Sequence, residues 1–324
     1  MRKLMKFFNR FRNKKDYKIK RIDITIPNEG ESIIIEHHKK IKIPYINIIL
    51  FLITVFTTIV SGAVLEGADV LSDFSKVKEG IPFSFTLISI LGFHELGHYF
   101  ASRFHNINAT LPYFIPAPPI IPTTPPILFI GTFGAFIKVK SQISDKKKLL
   151  DIGAYGPIAG FLMTVPSIIF GLQISAIKEV IPGHGITLGN SLLLYFAEKM
   201  IFGNIPPGYD VELSSVAFAG FIGLLVTTLN LMPIGQLDGG HIVYALFGKK
   251  HAIIARIFFI VLLLLSVLTH WIGWLFWAIL IYAIGFRHPP TANDFIPIDN
   301  KRKIIGCFCI CIFILCFIPV PISI

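Results

Sequence analysis

Seven long apolar runs, separated by polar segments, constrain this chain more than any other feature. They cover residues 43–65, 81–102, 149–174, 213–232, 253–268, 271–286 and 304–320. A helix needs about 20 apolar residues to cross a bilayer. Across the chain 53% of residues are hydrophobic and only 15% are charged, against about a quarter in a soluble domain. The sequence predicts an all-α polytopic membrane protein with about seven transmembrane helices, and it excludes a disordered chain.

The segment between the second and third runs has a different character. Residues 111–126 contain seven prolines and cannot form one helix, because each proline removes a hydrogen-bond donor. Residues 127–139 are too short to span as a helix. They are rich in β-branched and aromatic residues and are broken by Gly131 and Gly134. We predict a small membrane-associated β-hairpin between the helix of the second run and the following span. The alternative is a cytoplasmic loop packed beneath the spans.

The net charge of +11 is explained by the distribution of the basic residues. Residues 1–43 are polar and basic, and we expect a cytoplasmic N-terminal segment there, followed by a transmembrane domain at 44–320. Alternate crossings then place residues 66–80 and 175–212 outside. These outer segments hold four of the 30 basic residues, which are Lys76, Lys78, Lys178 and Lys199. The other 26 lie inside, as the positive-inside rule requires. We expect a multi-pass protein of the cell membrane, in contact with lipid and without a nucleic-acid partner.

The second run contains His94-Glu95-Leu96-Gly97-His98. Ionisable residues inside a span are costly, so each needs a reason. On a helix the two histidines lie on one face, one turn apart, and can reach the same zinc ion, with Glu95 beside them to activate water. His94 lies about 13 residues from the outer end of the run, roughly 20 Å deep. The site is therefore expected toward the cytoplasmic side.

A catalytic zinc site takes three protein ligands and leaves one position open. The third ligand is sought in the sequence NLMPIGQLDGG, residues 230–240, where Pro233 and Gly235 break an apolar helix. A broken helix at membrane depth is tolerated where it lines a cavity. Asp238 is the candidate ligand. Its alternative role is that of a helix N-cap at the membrane interface.

HELGH together with NLMPIGQLDGG resembles the two motifs of the site-2 proteases, the intramembrane zinc metalloproteases. The stretches LPYFIPAPP, GTFGAFIKVK, DIGAYGPIAGF and RHPP are similar to the archaeal, cyanobacterial and plastid EGY-type branch. The resemblance covers most of the chain from residue 43 onward. It implies a peptidase domain whose catalytic core is about 81–245, with additional helices at 44–65, 253–286 and 304–320.

The resemblance implies a role for each matching residue. His94, His98 and Asp238 would bind one Zn²⁺ per chain, and Glu95 would be the general base and later the proton donor. Asn230 would contact the substrate backbone or the oxyanion; the alternative is that it bonds backbone freed by Pro233. The edge of the predicted hairpin would pair with an unwound substrate by β-augmentation. The residues expected there are Gly131, Thr132, Phe133 and Gly134.

The expected activity is that of an intramembrane zinc endopeptidase that cleaves a transmembrane segment of another protein. One alternative is a catalytically silent relative that binds membrane proteins. A second is a zinc transporter, which would show metal ligands on several spans and often internal repeats. A third is a prenyl-protein type peptidase, with a glutamate ligand on a later helix. The later glutamates, Glu179, Glu198 and Glu212, all fall on the outer side.

Overall fold

The computed structural model describes residues 43–118, 130–180 and 187–323. The predicted N-terminal segment therefore lies outside the described residues, except for Ile43. Residues 46–324 form a compact unit of their own. The helices are α1 (Tyr45–Leu65), α2 (Ile81–Phe104), α3 (Lys146–Gln173), α4 (Leu192–Phe202), α5 (Ser215–Asn230), α6 (Asp238–Phe247), α7 (His251–Thr269), α8 (Ile272–Ile284) and α9 (Asn300–Cys316), with 3₁₀ turns at Phe74–Gly80 and Gly248–Lys250.

Each of the seven apolar runs contains a helix, so the mostly helical fold is confirmed. The number of spans is not confirmed. Among the described residues, three helical stretches are long and apolar enough to cross a membrane, namely α1, α3 and a continuous stretch Asp238–Thr269 that joins α6 and α7. Apolar helices at Ser215–Asn230 and Ile272–Ala283 are shorter. The third stretch begins well before the predicted start of its run, because the helix resumes directly after the break at Pro233 and Gly235.

The described strands form three small antiparallel sheets. Strands β1 (Tyr113–Pro116) and β2 (Thr132–Phe136) pair between α2 and α3, so a small antiparallel sheet lies where the hairpin is predicted. Strand β1 belongs to the proline-rich segment and not to residues 127–139. The other two sheets were not predicted. They pair β3 (Ala176–Glu179) with β5 (Tyr209–Glu212), and β4 (Thr187–Leu188) with β6 (Ile322–Ser323).

The fourth helix begins later than the sequence pattern suggested. Asn190, Glu198 and Lys199 interrupt the apolar residues of 188–202, a pattern that predicts an amphipathic surface helix from Leu188 to Phe202 and not a span. Instead, Leu188 lies in β4, and α4 begins after Ser191. The Ser191 hydroxyl accepts a hydrogen bond from the backbone N–H of Leu194 at 3.1 Å, which satisfies one of the free donors at the start of a helix. The cap therefore determines where the helix starts.

Close approaches at glycines bring α2, α3 and α5 together. A Cβ on Gly97 would lie 2.3 Å from the carbonyl oxygen of Tyr155, so α2 and α3 touch backbone to backbone. A Cβ on Gly171 would lie 2.3 Å from the backbone nitrogen of Ala217, which brings α3 equally close to α5. Small residues permit such contacts between helices in a membrane. The three helices form the frame that holds the metal centre.

A buried carboxylate ties α9 to this frame. Asp151 on α3 is only 5% exposed. Its two oxygens accept hydrogen bonds from Arg302 Nε at 2.9 Å and from Arg302 Nη2 at 2.5 Å. Nε2 of His105, just after α2, lies 2.7 Å from the same carboxylate. Together these contacts join the end of α2 to α3 and α9.

Replacing Asp151 with Asn should destabilise the protein by about 1.5–3 kcal/mol, because Arg302 loses its buried counter-charge and keeps only its pair with Asp299. The measurement is the midpoint of thermal unfolding in detergent. The matched control is Lys178→Ala, which breaks the exposed pair of Lys178 with Glu212 and should change stability by less than about 1 kcal/mol. Equal midpoints for the two variants would contradict the role assigned to Asp151.

Candidate metal centre

The four residues singled out in the two motifs meet at one place. His94, Glu95 and His98 lie in the C-terminal half of α2 and are 3%, 7% and 7% exposed. Asp238 is the first residue of α6. Leu237 occupies the N-cap position, so the alternative reading of Asp238 as the N-cap does not hold. The Asp238 carboxylate points instead toward the two imidazoles.

Three potential ligand atoms form a nearly equilateral triangle. Asp238 Oδ2 lies 3.2 Å from His94 Nε2 and 3.2 Å from His98 Nε2. The two imidazole nitrogens are 3.1 Å apart. Bonds of about 2.0–2.1 Å in a tetrahedral site place neighbouring ligand atoms roughly 3.3 Å apart. The triangle therefore fits one face of such a site, and it leaves the fourth position free.

The tautomer of His98 is fixed by a second hydrogen bond. Its Nδ1 lies 2.7 Å from the carbonyl oxygen of Ile152 on α3. A carbonyl only accepts, so Nδ1 carries the proton and Nε2 keeps its lone pair. Bonds of this kind orient histidine ligands in metal sites. His98 is thus prepared to bind a cation from the side that faces His94 and Asp238.

The glycines of α3 make room for the imidazoles. A Cβ on Gly156 would lie 2.1 Å from His98 Nε2, and one on Gly160 would lie 3.1 Å from His94 Nδ1. A Cβ on Gly153 would lie 2.8 Å from the Cβ of His241. Small residues at this spacing let helices approach closely in a membrane, and here Gly156 and Gly160 pack against α2 whereas Gly153 packs against α6. The His98 ring packs against the backbone of α3 at Gly156, where no side chain intervenes.

Asn230 and Glu95 stand beside the ligand triangle. Asn230 is the last residue of α5, and its side-chain Nδ2 lies 3.3 Å from His94 Nε2. The Asn230 side chain therefore lies next to the candidate ligands and not only near the break at Pro233. The Glu95 carboxylate faces the backbone N–H of Ile137, which directly follows β2. The hairpin thus touches the residue predicted to handle protons.

A cavity of about 410 Å³ opens from this centre. His94, Glu95 and Asn230 form part of its wall, and so do Thr132, Phe133 and Gly134 of β2. Gly131, the fourth residue predicted for strand pairing, has a structural role instead. The carbonyl oxygen of Gly131 accepts hydrogen bonds from Thr57 Oγ1 at 2.6 Å and from the Ala117 backbone N–H at 3.1 Å. Gly131 anchors the strand, and the next three residues face the cavity.

Sequence reasoning missed a histidine pair behind Asp238. His288 Nδ1 lies 2.6 Å from the carbonyl oxygen of Pro289, to which it must donate. Its Nε2 therefore accepts from His241 Nδ1 at 2.6 Å. Burial lowers the pKa of His288, although the Pro289 hydrogen bond and the charge of Asp294 raise it. The RHPP stretch was noted in the sequence, but no local pattern indicates that it reaches α6.

The same loop is held to α6 by a second contact. The Tyr244 hydroxyl donates to Asp294 Oδ2 at 2.6 Å, and the Tyr244 ring stacks on His288 with centroids 4.5 Å apart. Burial raises the pKa of Asp294, but hydrogen bonds from Thr291 and Tyr244 outweigh it and hold that pKa below its usual value. These contacts brace the first two turns of α6, at whose start Asp238 lies.

The comparison with known families agrees with this geometry. The model of "Peptidase family M50" matches residues 82–269, which is more than half of the chain and includes both motifs. This chain belongs to peptidase family M50. Its M50 segment includes every one of the residues that form the ligand triangle, together with Glu95 and Asn230.

Curated relatives of this M50 chain are plant proteins. The chain is 28% identical over 283 residues to the probable zinc metalloprotease EGY2, chloroplastic, of Arabidopsis thaliana, covering 83% of this chain and 48% of the relative. It is 30% identical over 251 residues to EGY1 of the same plant, covering 75% and 44%. For EGY3 the identity is 25% over 293 residues, covering 85% and 48%. The chain spans about half the length of these relatives.

Gly156→Ala should weaken metal binding at the M50 site by about 10–100-fold, because the new methyl group displaces the His98 ring. Affinity for Zn²⁺ is measured by competition with a chelator of known affinity. The control is Gly92→Ala on α2, where the nearest atom to a Cβ would be Phe114 Cζ at 3.8 Å. Alanine favours helix over glycine, so neither change should weaken the helix itself. Unchanged affinity in Gly156→Ala would refute the steric argument.

Proposed function

We propose that this chain is an intramembrane zinc endopeptidase, which hydrolyses a peptide bond in or near the transmembrane segment of another membrane protein. The observation that carries the proposal is the ligand triangle at the end of a cavity walled by apolar helices and a strand. A glutamate and an amide stand beside the triangle. Membership of peptidase family M50 and the names of the zinc metalloprotease relatives support the same reading.

His94, His98 and Asp238 would hold the zinc ion, since two imidazoles and a carboxylate are a donor set that zinc accepts in hydrolytic sites. When bound, zinc supplies Lewis-acid chemistry, which lowers the pKa of water toward neutrality and polarises a carbonyl group. The His98 Nδ1 bond to Ile152 keeps the ring in one orientation. The contacts of α3 and α6 thus set the ligand geometry before a substrate arrives.

Glu95 would perform the proton transfers. In this proposal its carboxylate takes a proton from the attacking water and delivers it to the leaving amine. Asn230 would donate its amide N–H to the substrate carbonyl oxygen as negative charge develops there. Both side chains line the cavity that opens from the metal centre, so both can reach a peptide bond placed within it.

The substrate would be held as an extended strand. A transmembrane helix hides its peptide bonds in its own hydrogen bonds and has to unwind before attack. Thr132, Phe133 and Gly134 lie on the cavity wall, and among the described residues β2 pairs with β1 along one side only. An unwound segment that enters the cavity can therefore add to β2 by β-augmentation.

We also propose the membrane arrangement predicted from the sequence, with seven spans, the N-terminus and the metal centre toward the cytoplasm, and a location in the cell membrane. The asymmetry of the basic residues supports it. Helices α1, α2, α3, α5, α7, α8 and α9 would be the spans. The catalytic core would be residues 81–245, and residues 1–43 a separate basic segment at the inner surface.

A zinc transporter fits the described residues less well. They contain a single group of His, Cys, Asp or Glu with the geometry of a metal site. A transport path needs ligands that follow one another across the membrane. A catalytically silent relative remains the alternative that an activity measurement has to test.

Glu95→Gln should retain zinc but lose cleavage of a model transmembrane substrate by about 10²–10⁴-fold, because the amide cannot accept the proton. Asp238→Ala should lose zinc affinity as well as activity. Zinc content and the cleavage rate are measured on the same purified samples. Cleavage that survives in Glu95→Gln would exclude the proposed mechanism, and a wild type that binds zinc without cleaving any substrate would favour the silent relative.

A proline at Phe133 or Ala135 should depress cleavage at least about tenfold while leaving zinc content intact, since it removes a backbone N–H from the strand. The matched controls are Phe133→Leu and Ala135→Ser, which keep the N–H and should remain active. The cleavage rate and the zinc content are determined for all four variants. Normal cleavage in both proline variants would eliminate strand pairing.

A further inference from the structure

The cavity that opens from the candidate metal centre is elongated. One end is lined by His94, Glu95 and Asn230, and we call the opposite end the far end. Its α2 wall includes Leu87 and Glu95, which are eight residues or about 12 Å apart along the helix. Its α5 wall includes Phe218, near the start of that helix, and Asn230 at its end. Phe218 stacks on Phe83 at the start of α2, with centroids 6.1 Å apart. The two helices thus run in parallel from the far end to the metal centre.

The small sheet of β4 and β6 lies at the far end of the cavity. Leu188 and Ile322 are directly opposite each other in this sheet, and both line the cavity. The segment that contains β4 connects the end of α3 to the start of α5. That is the same end of the bundle as Phe218, so the pair lies across the cavity from the metal centre. We refer to Leu188 and Ile322 as the end wall.

The end wall is held firmly by the segment before β6. The backbone N–H of Gly189 donates to the carbonyl oxygen of Pro321 at 3.0 Å. Trp274 on α8 is fully buried, and its indole N–H donates to the carbonyl oxygen of Pro319 at 2.7 Å. Its ring stacks on Phe317 with centroids 5.5 Å apart. These bonds fix the position of Ile322, so the wall limits the space beyond the active site.

The cavity is also small. Its volume of about 410 Å³ is near the lower end of the range of about 300–1,000 Å³ for ligand pockets. One turn of a helix with its side chains, about 10–12 Å wide and 5.4 Å long, takes up roughly 500 Å³, so only a short extended stretch of substrate fits. The side chain farthest from the cleaved bond therefore meets Leu188 and Ile322.

We propose that Leu188 and Ile322 determine specificity, by limiting the size and polarity of the substrate side chain at the far end of the cavity. This inference rests on the proposed peptidase function. Leu87, Phe218 and Trp277 line the same region, so a charged substrate side chain there would be buried without a partner. The preferred substrate has a small or medium apolar residue at that position.

The test uses model transmembrane substrates that carry Ala, Leu, Phe or Trp at successive positions on each side of the cleaved bond. The ratio of kcat/KM for Trp to that for Ala identifies the position that meets the wall. In Leu188→Ala, Ile322→Ala and the double variant this ratio should rise about tenfold at that position and stay constant elsewhere. Ile322→Phe should lower it. The matched control is Ile310→Ala on α9, whose side chain is 39% exposed and is not part of the cavity wall.

A binding measurement separates failure of this inference from failure of the proposed function. Dissociation constants of labelled substrates are measured for the end-wall variants, each combined with Glu95→Gln so that the substrate is not cleaved. The ratio compared is again that of the Trp substrate to the Ala substrate, and the zinc content of each sample is measured as well. A shift in binding ratio without cleavage by the wild type would overturn the peptidase function and leave the end wall standing. If the ratios in the end-wall variants match those of Ile310→Ala, Leu188 and Ile322 do not determine specificity. If an alanine variant unfolds, Leu188→Val and Ile322→Val give the same comparison with a smaller loss of volume.

Discussion

Two imidazoles and a carboxylate, buried together among apolar helices, are the constraint on which the rest of the structure depends. Each group alone would be costly to bury. Together they form a triangle with sides of 3.1–3.2 Å, whose natural occupant is a cation. The rings also need space and a fixed orientation. Gly156 supplies the space and the carbonyl of Ile152 the orientation, which explains why α3 lies so close to α2.

Local patterns in the sequence were sufficient to single out the three candidate ligands. The spacing of His94 and His98 places them one helical turn apart whatever the surroundings. The break at Pro233 and Gly235 indicated where a polar residue could enter, and Asp238 lies beside the two histidines. Prolines and glycines that exclude a helix indicated extended structure between α2 and α3, where the structure has a small antiparallel sheet.

Contacts between distant segments could not be predicted in this way. Arg302 meets Asp151 across 151 positions of the sequence, and the basic stretch around Arg302, just before the last apolar run, gives no sign of it. The partnership of His241 with His288 depends on a loop that crosses α6, and no periodicity encodes that path. The number of spans stays a prediction, since the apolar runs leave α6 between two spans whereas the backbone continues α6 into α7 as one stretch.

The pairing of Leu188 with Ile322 has a consequence for the order of events during synthesis. The helices that carry the metal ligands are all made before residue 250, whereas β6 follows α9. A chain emerging from the ribosome can therefore assemble its ligand triangle long before the far end of its cavity is closed. Until residue 322 has entered the membrane region, the cavity has no end wall and no stop for a substrate. The selection of substrates proposed for Leu188 and Ile322 therefore arises only after the ligand triangle has formed.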